Sequence, residues 1–306
     1  MARLGQFYDN YVYGWSIGGS NGDDTIWGYG GADTLIGYQG TDVMYGGTGD
    51  DHIYAGTPGV YAAWGGSNGA EYAFGEAGND TIDFSMTSDV SVLYGDSSTA
   101  SASDGNDYVR GGGSTDYIYG GGGSDVLYGH NGNDTIYGDC ASESGYDGND
   151  SIYGGQGSDS INGGGGNDVI VGGIDGDWLT GGSGEDVFRY TSLKDSDPNN
   201  WKNADTILDF YGRFDDIDMA VSGTASNYQE ASMSGEWYEK YGVSYAFDNA
   251  KALASYAIAG GKQYVFIADG HNGYLFADQN GDRVIDTGIE LRGIPTTDGF
   301  GYWDIV

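Results

Sequence analysis

The sequence predicts an all-β fold, a solenoid of stacked nine-residue repeats followed by a mostly β C-terminal cap. Three observations carry that expectation. From Gly18 to about Tyr190 one phrase, Gly-Gly-x-Gly-x-Asp-x-(apolar)-x, recurs in tandem more than a dozen times, and so short a period means coils stacked on one another. Of 306 residues 60 are glycine, which leaves few side chains for an ordinary core and gives the unfolded chain much entropy to lose. After Tyr190 the period vanishes and apolar alternation replaces it.

The best-spelled copies are Gly46–Tyr54, Gly111–Tyr119, Gly120–Tyr128, Gly129–Tyr137, Gly154–Asn162 and Gly163–Val171. Residues 1–17 hold four aromatics (Phe7, Tyr8, Tyr11, Tyr13) before the first Gly-Gly pair, as befits a segment covering the open end of a solenoid. Residues 18–190 form the array, degenerate around 55–94, where Glu71 stands at an Asp position and Gly78-Asn79-Asp80-Thr81-Ile82 is the one good copy. Fewer ions are expected in that stretch. Two insertions of equal form, near 97–103 and 140–146, both resume at Asp-Gly-Asn-Asp, so they read as surface loops that leave strand register intact. Residues 191–306 form the cap, with strands expected at Thr206–Phe210, Tyr264–Ile267 and Tyr274–Phe276 and a helix around Asn249–Ile258.

Glycine at positions one, two and four lets the backbone turn tightly and brings carbonyl oxygens to a common point. Asp at position six adds a charged oxygen. Calcium takes about six to eight oxygen ligands in a tolerant geometry, so one turn supplies about half a shell and the next turn on the same side supplies the rest. Two repeats then make one coil, with ions in rows between coils. The carboxylates expected to serve as ligands are Asp24, Asp33, Asp42, Asp51, Asp80, Asp107, Asp116, Asp125, Asp134, Asp150, Asp159, Asp168, Asp177 and Asp186; the bland alternative for any one of them is a solvated turn Asp. Position eight is the inward column: Ile26, Leu35, Met44, Ile53, Ile82, Val109, Ile118, Leu127, Ile136, Ile152, Ile161, Ile170, Leu179 and Phe188.

Charge points the same way. With 46 acidic against 11 basic side chains, the formal net charge is −35, and such a field repels itself unless cations sit within it. It excludes nucleic acid and anionic membrane as partners, and no stretch approaches the roughly 20 apolar residues of a spanning helix. Residues 1–15 lack the apolar core of a cleavable signal peptide. The one cysteine, Cys140, allows no intrachain disulfide and is expected in an exposed loop.

This array resembles the repeats-in-toxin (RTX) family of bacterial exported proteins. The resemblance implies a parallel β-roll with rows of multiple calcium ions. The tail, through Gly181–Phe188, Asp205–Phe210 and Asp215–Asp218, is similar to the C-terminal region of serralysin-type proteases and other RTX exoproteins. Asp304-Ile305-Val306 resembles the acidic-then-apolar ending read by type I secretion machinery. The likeness implies export as an unfolded chain, a secreted location outside the cell or on its surface, and folding on meeting calcium.

No catalytic constellation emerges. Gly18–Gly22 and Gly65–Gly69 match Gly-x-Ser-x-Gly without the strand-to-helix context that motif needs, and no His-Glu-x-x-His occurs. Asp278–Asp286 reads either as an acidic hairpin or as a further calcium loop. Position nine is rich in aromatics: Trp27, Tyr45, Tyr54, Tyr119, Tyr128, Tyr137, Tyr153 and Tyr190. They are either half-exposed strand residues or an interface for another copy or for sugar rings. The function expected is a non-enzymatic structural protein, a homo-oligomer or polymer in a surface layer, filament or matrix. The alternatives are a module binding cell-surface polysaccharide, ice (for which the outward Thr are too irregular), and an enzyme with its site in the cap.

Overall fold

The computed structural model describes residues 16–19, 22–56, 71–97, 104–139, 147–199, 202–212, 214–219, 223–224, 226–232, 243–294, 300–301 and 304–306. Cys140, the first fifteen residues, the Gly65–Gly69 string and nearly all of both insertions lie outside them. The chain divides into two compact units, Met1–Gly155 with Asn162–Gly166, and Gln156–Ile161 with Asn167–Val306.

In the first unit, strands alternate between two parallel sheets. One holds β1 (Ser16–Gly18), β3 (Thr34–Ile36), β5 (His52–Tyr54), β7 (Thr81–Asp83), β9 (Tyr108–Arg110), β11 (Val126–Asn131) and β13 (Ser151–Gln156), in that order. The other holds β2 (Thr25–Trp27), β4 (Val43–Thr48), β6 (Glu71–Ala77), β8 (Ser91–Asp96), β10 (Tyr117–Gly121) and β12 (Thr135–Asp139); β14 (Ser160–Gly165) is divided between the units. Two repeats therefore make one coil of a β-roll, as the period predicts.

Register keeps like on like. Leu35 pairs with Ile53, Ile53 with Ile82, Ile82 with Val109 and Val109 with Leu127. On the other sheet Ile26 pairs with Met44, Met44 with Ala73, Ala73 with Leu93, Leu93 with Ile118 and Ile118 with Ile136. These residues are buried because side chains alternate across a strand and only every second one faces inward. Ala73 and Leu93 fill the column where the repeat spelling fails. The first insertion leaves the ladder in step, since the Ile82–Val109 and Val109–Leu127 pairs flank it.

Glycine is required at the corners for two different reasons. Gly47 and Gly49 sit at φ 110° and 122°, where a side chain is strained. Where another residue occupies position two, as at Tyr29, Tyr38, Glu76 and His130, φ settles between 71° and 77°, in the left-handed helical region. Gly46 is required for space: a Cβ there would lie 2.5 Å from Asp51 Oδ2 and 2.7 Å from the Gly75 carbonyl oxygen.

In the second unit β15 (Val169–Ile174), β17 (Val187–Arg189) and β19 (Asp216–Asp218) form one parallel set. The other set runs β16 (Trp178–Ser183), β18 (Asp205–Ile207), β23 (Thr287–Arg292), β22 (Asn272–Ala277), β21 (Tyr264–Ala268) and β20 (Tyr228–Ser232). Ile207 pairs with Leu179 and Ile217 with Phe188, so the coil pattern runs on past Tyr190. β22 is antiparallel to both neighbours. Helix α1 (Val243–Ala259) lays Ala246, Phe247, Ala250, Ala254 and Ile258 against Val265, Ile267, Tyr274 and Phe276; alanines four apart make one narrow face that allows close approach. Gly261, at φ 98°, closes the helix while Lys262 N–H donates to the Ala257 carbonyl.

Both edges in this unit are managed. Val306 N–H donates to the Ile217 carbonyl and Met219 N–H to that of Val306, which lays the last residues along β19. Lys262 Nζ donates to the carbonyls of Ser226 and Tyr228 beside β20, where a charge blunts strand addition. Among the described residues, no helix is long and apolar enough to cross a membrane.

Candidate metal centre

Position six opens each strand, so its side chain lies in the corner between coils. In the first unit the corners leading into odd-numbered strands carry Asp33, Asp51, Asp80, Asp107, Asp125 and Asp150, and those leading into even-numbered strands carry Asp24, Asp42, Glu71, Ser91, Asp116 and Asp134. The second unit has Asp168, Asp186 and Asp215 on one side and Asp159, Asp177 and Asp205 on the other. Of the fourteen carboxylates expected from the repeat, thirteen are between 0 and 3% exposed. Asp24, at the beginning of the array, is half-buried.

Each of these side chains divides its labour between its two oxygens. Asp51 Oδ1 accepts the backbone N–H of Asp33 at 2.7 Å, Asp80 that of Asp51 at 2.7 Å, Asp107 that of Asp80 at 2.7 Å, Asp125 that of Asp107 at 2.7 Å and Asp150 that of Asp125 at 2.8 Å. On the other side Asp42 caps Asp24 and Asp134 caps Asp116, at 2.9 and 2.8 Å. The second unit repeats this with Asp177 on Asp159, Asp186 on Asp168, Asp205 on Asp177 and Asp215 on Asp186, at 2.8, 2.9, 3.0 and 3.2 Å. Oδ2 has another destination. In Asp42, Asp51, Asp80, Asp107, Asp125, Asp177 and Asp186 it is buried and accepts no hydrogen bond.

The space that this oxygen faces is the space kept open by the position-one glycine. At Gly46 that space holds Asp51 Oδ2 and the Gly75 carbonyl oxygen, as given above; around Gly111 it holds the Gly129 carbonyl oxygen and Asp116 Oδ2, which also accepts Gly112 N–H. The same pair, the repeat's own carboxylate and the carbonyl of the equivalent glycine one coil on, surrounds Gly75, Gly95, Gly120, Gly129 and Gly138. The polar atoms nearest each of these glycines are oxygens, of both carboxylate and carbonyl type. That donor set fits calcium, which accepts mixed carboxylate and carbonyl oxygens. Among the described residues no three His, Cys, Asp or Glu side chains gather as a metal centre by themselves, so backbone carbonyls must supply the larger share of any shell.

Electrostatics gives the same fit. Burial, aided by neighbouring carboxylates, pushes Asp51 and Asp80 up to about 7, Asp107 to about 9 and Asp125 to about 10. Burial and Asp205 push Asp177 to about 10. Moving a carboxylate from water is costly unless an opposite charge joins it, and the cation that would offset this is the one the cradle fits.

Several acids in the ladder escaped the sequence reading. Asp96 and Asp139 replace the second glycine at the start of each insertion; Asp96 Oδ2 accepts Gly122 N–H at 3.1 Å and Asp139 Oδ2 accepts Gly165 N–H at 2.7 Å. Their signal was the shared Gly-Asp spelling. Asp205 and Asp215 hold position six after the glycines have gone, and their signal was the surviving Asp-x-apolar triplet. Glu71 is wholly buried and pushed up to about 8 by burial, then by Asp42 and Asp89. The Asp278–Asp286 hairpin turns its carboxylates onto its own amides: Asp278 accepts Gly281 and Arg283 N–H, and Asp286 accepts those of Gln279 and Asn280.

Comparison with known proteins identifies the repeats and the region after them. The family model described as the RTX calcium-binding nonapeptide repeat matches residues 18–53, 65–83, 94–127 and 115–139, and the model described as the peptidase M10 serralysin C terminal matches residues 140–267. The chain carries RTX calcium-binding repeats. Its RTX coils past Cys140 fall within the serralysin-type match, and RTX nonapeptide repeats bind calcium. No curated protein matches the chain. Among solved structures it is similar to the solution structure of the AlgE6R3 subunit from the Azotobacter vinelandii mannuronan C5-epimerase, at 23% identity and a TM-score of 0.34, over 63% of this chain and 78% of that one.

Proposed function

We propose that this is a secreted, non-enzymatic structural protein whose RTX coils fold on calcium outside the cell and then associate into a surface layer, filament or matrix. The observation that carries the folding half is the repeated pairing of a buried, unpartnered Asp oxygen with a glycine cradle of carbonyls. A chain with a net charge of −35 and 60 glycines cannot offset its ordering entropy where calcium is scarce. Millimolar calcium binds the folded state alone and draws the chain into it. Serralysin-type C-terminal domains together with RTX repeats support a secreted location.

Association draws support from the outward face of the even-numbered sheet. Trp27, Tyr45, Phe74, Tyr94, Tyr119 and Tyr137 stand in one row, successive rings stacked at 6.0, 5.0, 5.1, 4.5 and 5.3 Å with interplanar angles of 3 to 9°. Rings that lie face to face offer their edges outward, so their faces are not free for a sugar ring. That favours a protein surface over polysaccharide. A calcium titration followed at once by circular dichroism and light scattering tests the reading: β signal and then scattering should rise with calcium. A chain fully β in EDTA at pH 8 refutes the folding half, and a monodisperse monomer at millimolar calcium refutes assembly.

A further inference from the structure

Two pairs of tyrosines stack more closely than any other tyrosine pair among the described residues. Tyr94 of β8 and Tyr119 of β10 are register partners in the even-numbered sheet, their ring centroids 4.5 Å apart and their planes inclined by 6°. Tyr128 of β11 and Tyr153 of β13 stack at 4.7 Å and 7° on neighbouring strands of the odd-numbered sheet. Equivalent residues on neighbouring strands of a parallel sheet carry their side chains in the same sense, so the ortho carbons of one ring lie over those of the other. All four rings are partly exposed, within reach of an oxidant in solvent. The place of these pairs along the chain is a second observation. Tyr94 precedes the first insertion and Tyr119 follows it; Tyr128 precedes the second and Tyr153 follows it. A coil with extra chain has more conformational entropy to lose on folding, and each insertion is bracketed by one close pair. Tyr119 and Tyr137, with no insertion between them, stand farther apart at 5.3 Å, and Tyr108 meets Tyr128 at 5.7 Å and 54°.

We propose that Tyr94–Tyr119 and Tyr128–Tyr153 are sites of oxidative coupling, each pair closing into a dityrosine that staples a coil carrying an insertion. The oxidant is hydrogen peroxide acting through a haem peroxidase. Each phenol gives up one electron and its hydroxyl proton. The two phenoxyl radicals then join through a carbon–carbon bond between ortho carbons, and each ortho hydrogen moves to the oxygen of its own ring, which restores both rings. One peroxide takes up the two electrons and two protons and leaves as two waters. A covalent link across such a loop constrains the unfolded chain far more than the folded one. The stapled roll therefore keeps its coils at calcium concentrations that release the unmodified chain.

The test treats the full chain, dilute and at millimolar calcium, with a haem peroxidase and limiting hydrogen peroxide, and maps the cross-linked peptides by proteolysis and tandem mass spectrometry. Links Tyr94–Tyr119 and Tyr128–Tyr153 within one chain should dominate. Tyr119→Phe should lose the first and keep the second, and Tyr153→Phe the reverse; if either variant fails to fold, the map of the unaltered chain decides alone. The oxidised chain should also show a lower calcium midpoint of folding by circular dichroism than the untreated one. Links spread equally over Tyr108–Tyr128 and Tyr119–Tyr137, or found only between chains, overturn the proposal, as does an unchanged midpoint. In EDTA at pH 8 the two links should give way to a scatter of products. The same two links formed there in full would uphold the pairs and count instead against folding on calcium.

Discussion

A carboxylate in this ladder faces two directions: one oxygen completes a backbone amide and the other waits in a dry corner. Removing the charge while keeping the shape tests that division. Asp125→Asn should move the calcium midpoint of folding upward, with a loss of about 1–3 kcal/mol, the cost of an impaired buried charged group, read by circular dichroism. Gly111→Ala attacks the same corner from the other side. Its methyl would meet the Gly129 carbonyl, which cannot swing away as a side chain can, so roughly 1–3 kcal/mol of overpacking is expected. In urea at saturating calcium this variant should unfold earlier, whereas Gly22→Ala, with open space around its position, should not. The ligand-type aspartates were legible because they recur in phase. Glu71 was visible as an irregularity, but the burial of both its oxygens without a hydrogen-bond partner depends on neighbouring coils, and no single repeat records that.

At the scale of an element, the stacked row on the even-numbered sheet joins residues far apart in the chain. Tyr119 stands 4.5 Å from Tyr94 and 5.3 Å from Tyr137, and each stacked pair contributes about 0.5–1.5 kcal/mol beyond burial. Tyr119→Ala should therefore lower stability by about 1–3 kcal/mol and weaken near-ultraviolet dichroism; if assembly uses this row, light scattering at saturating calcium should fall too. The sequence revealed Trp27, Tyr45, Tyr119 and Tyr137 by their place in the repeat. Phe74 and Tyr94 were missed as members because their repeats have lost the glycine spelling, and only strand register restores them to the row. Helix α1 begins at Val243, earlier than the expected Asn249, because Ala246 and Phe247 pack on β21 and β22, a partner that local propensity does not contain.

For the molecule as a whole, acidity and stability are linked, with a sign that calcium reverses. In chelator the buried carboxyls of Asp51, Asp80, Asp107 and Asp125 sit at about 7, 7, 9 and 10 against an ordinary 3.8. Between those values the folded state holds more protons than the unfolded one, so its stability is greatest below about pH 4 and falls as pH rises through the 7–10 window. The metal-free chain should thus lose β signal between pH 4 and pH 8. With calcium present, protons compete for the same oxygens, and the calcium midpoint should rise as pH falls from 8 to 5. An unchanged midpoint would mean that the buried carboxylates are not the ligands.

The amide ladder also has a direction. Asp33 relies on Asp51, Asp51 on Asp80, Asp80 on Asp107 and Asp107 on Asp125, so the position-six amide of each of these coils is capped by its successor, whereas the N–H groups of Asn79, Asn106 and Ser124, one place earlier in the repeat, are capped by Asp50, Asn79 and Asn106 of the coil before. Trimming coils from the carboxyl-terminal side removes the cap of a position-six amide, and trimming from the amino-terminal side removes that of a position-five amide. Shortened versions of this array are therefore not mirror images of each other: one end loses a buried carboxylate cap such as Asp107 or Asp125, the other a more exposed cap such as Asn79 or Asn106.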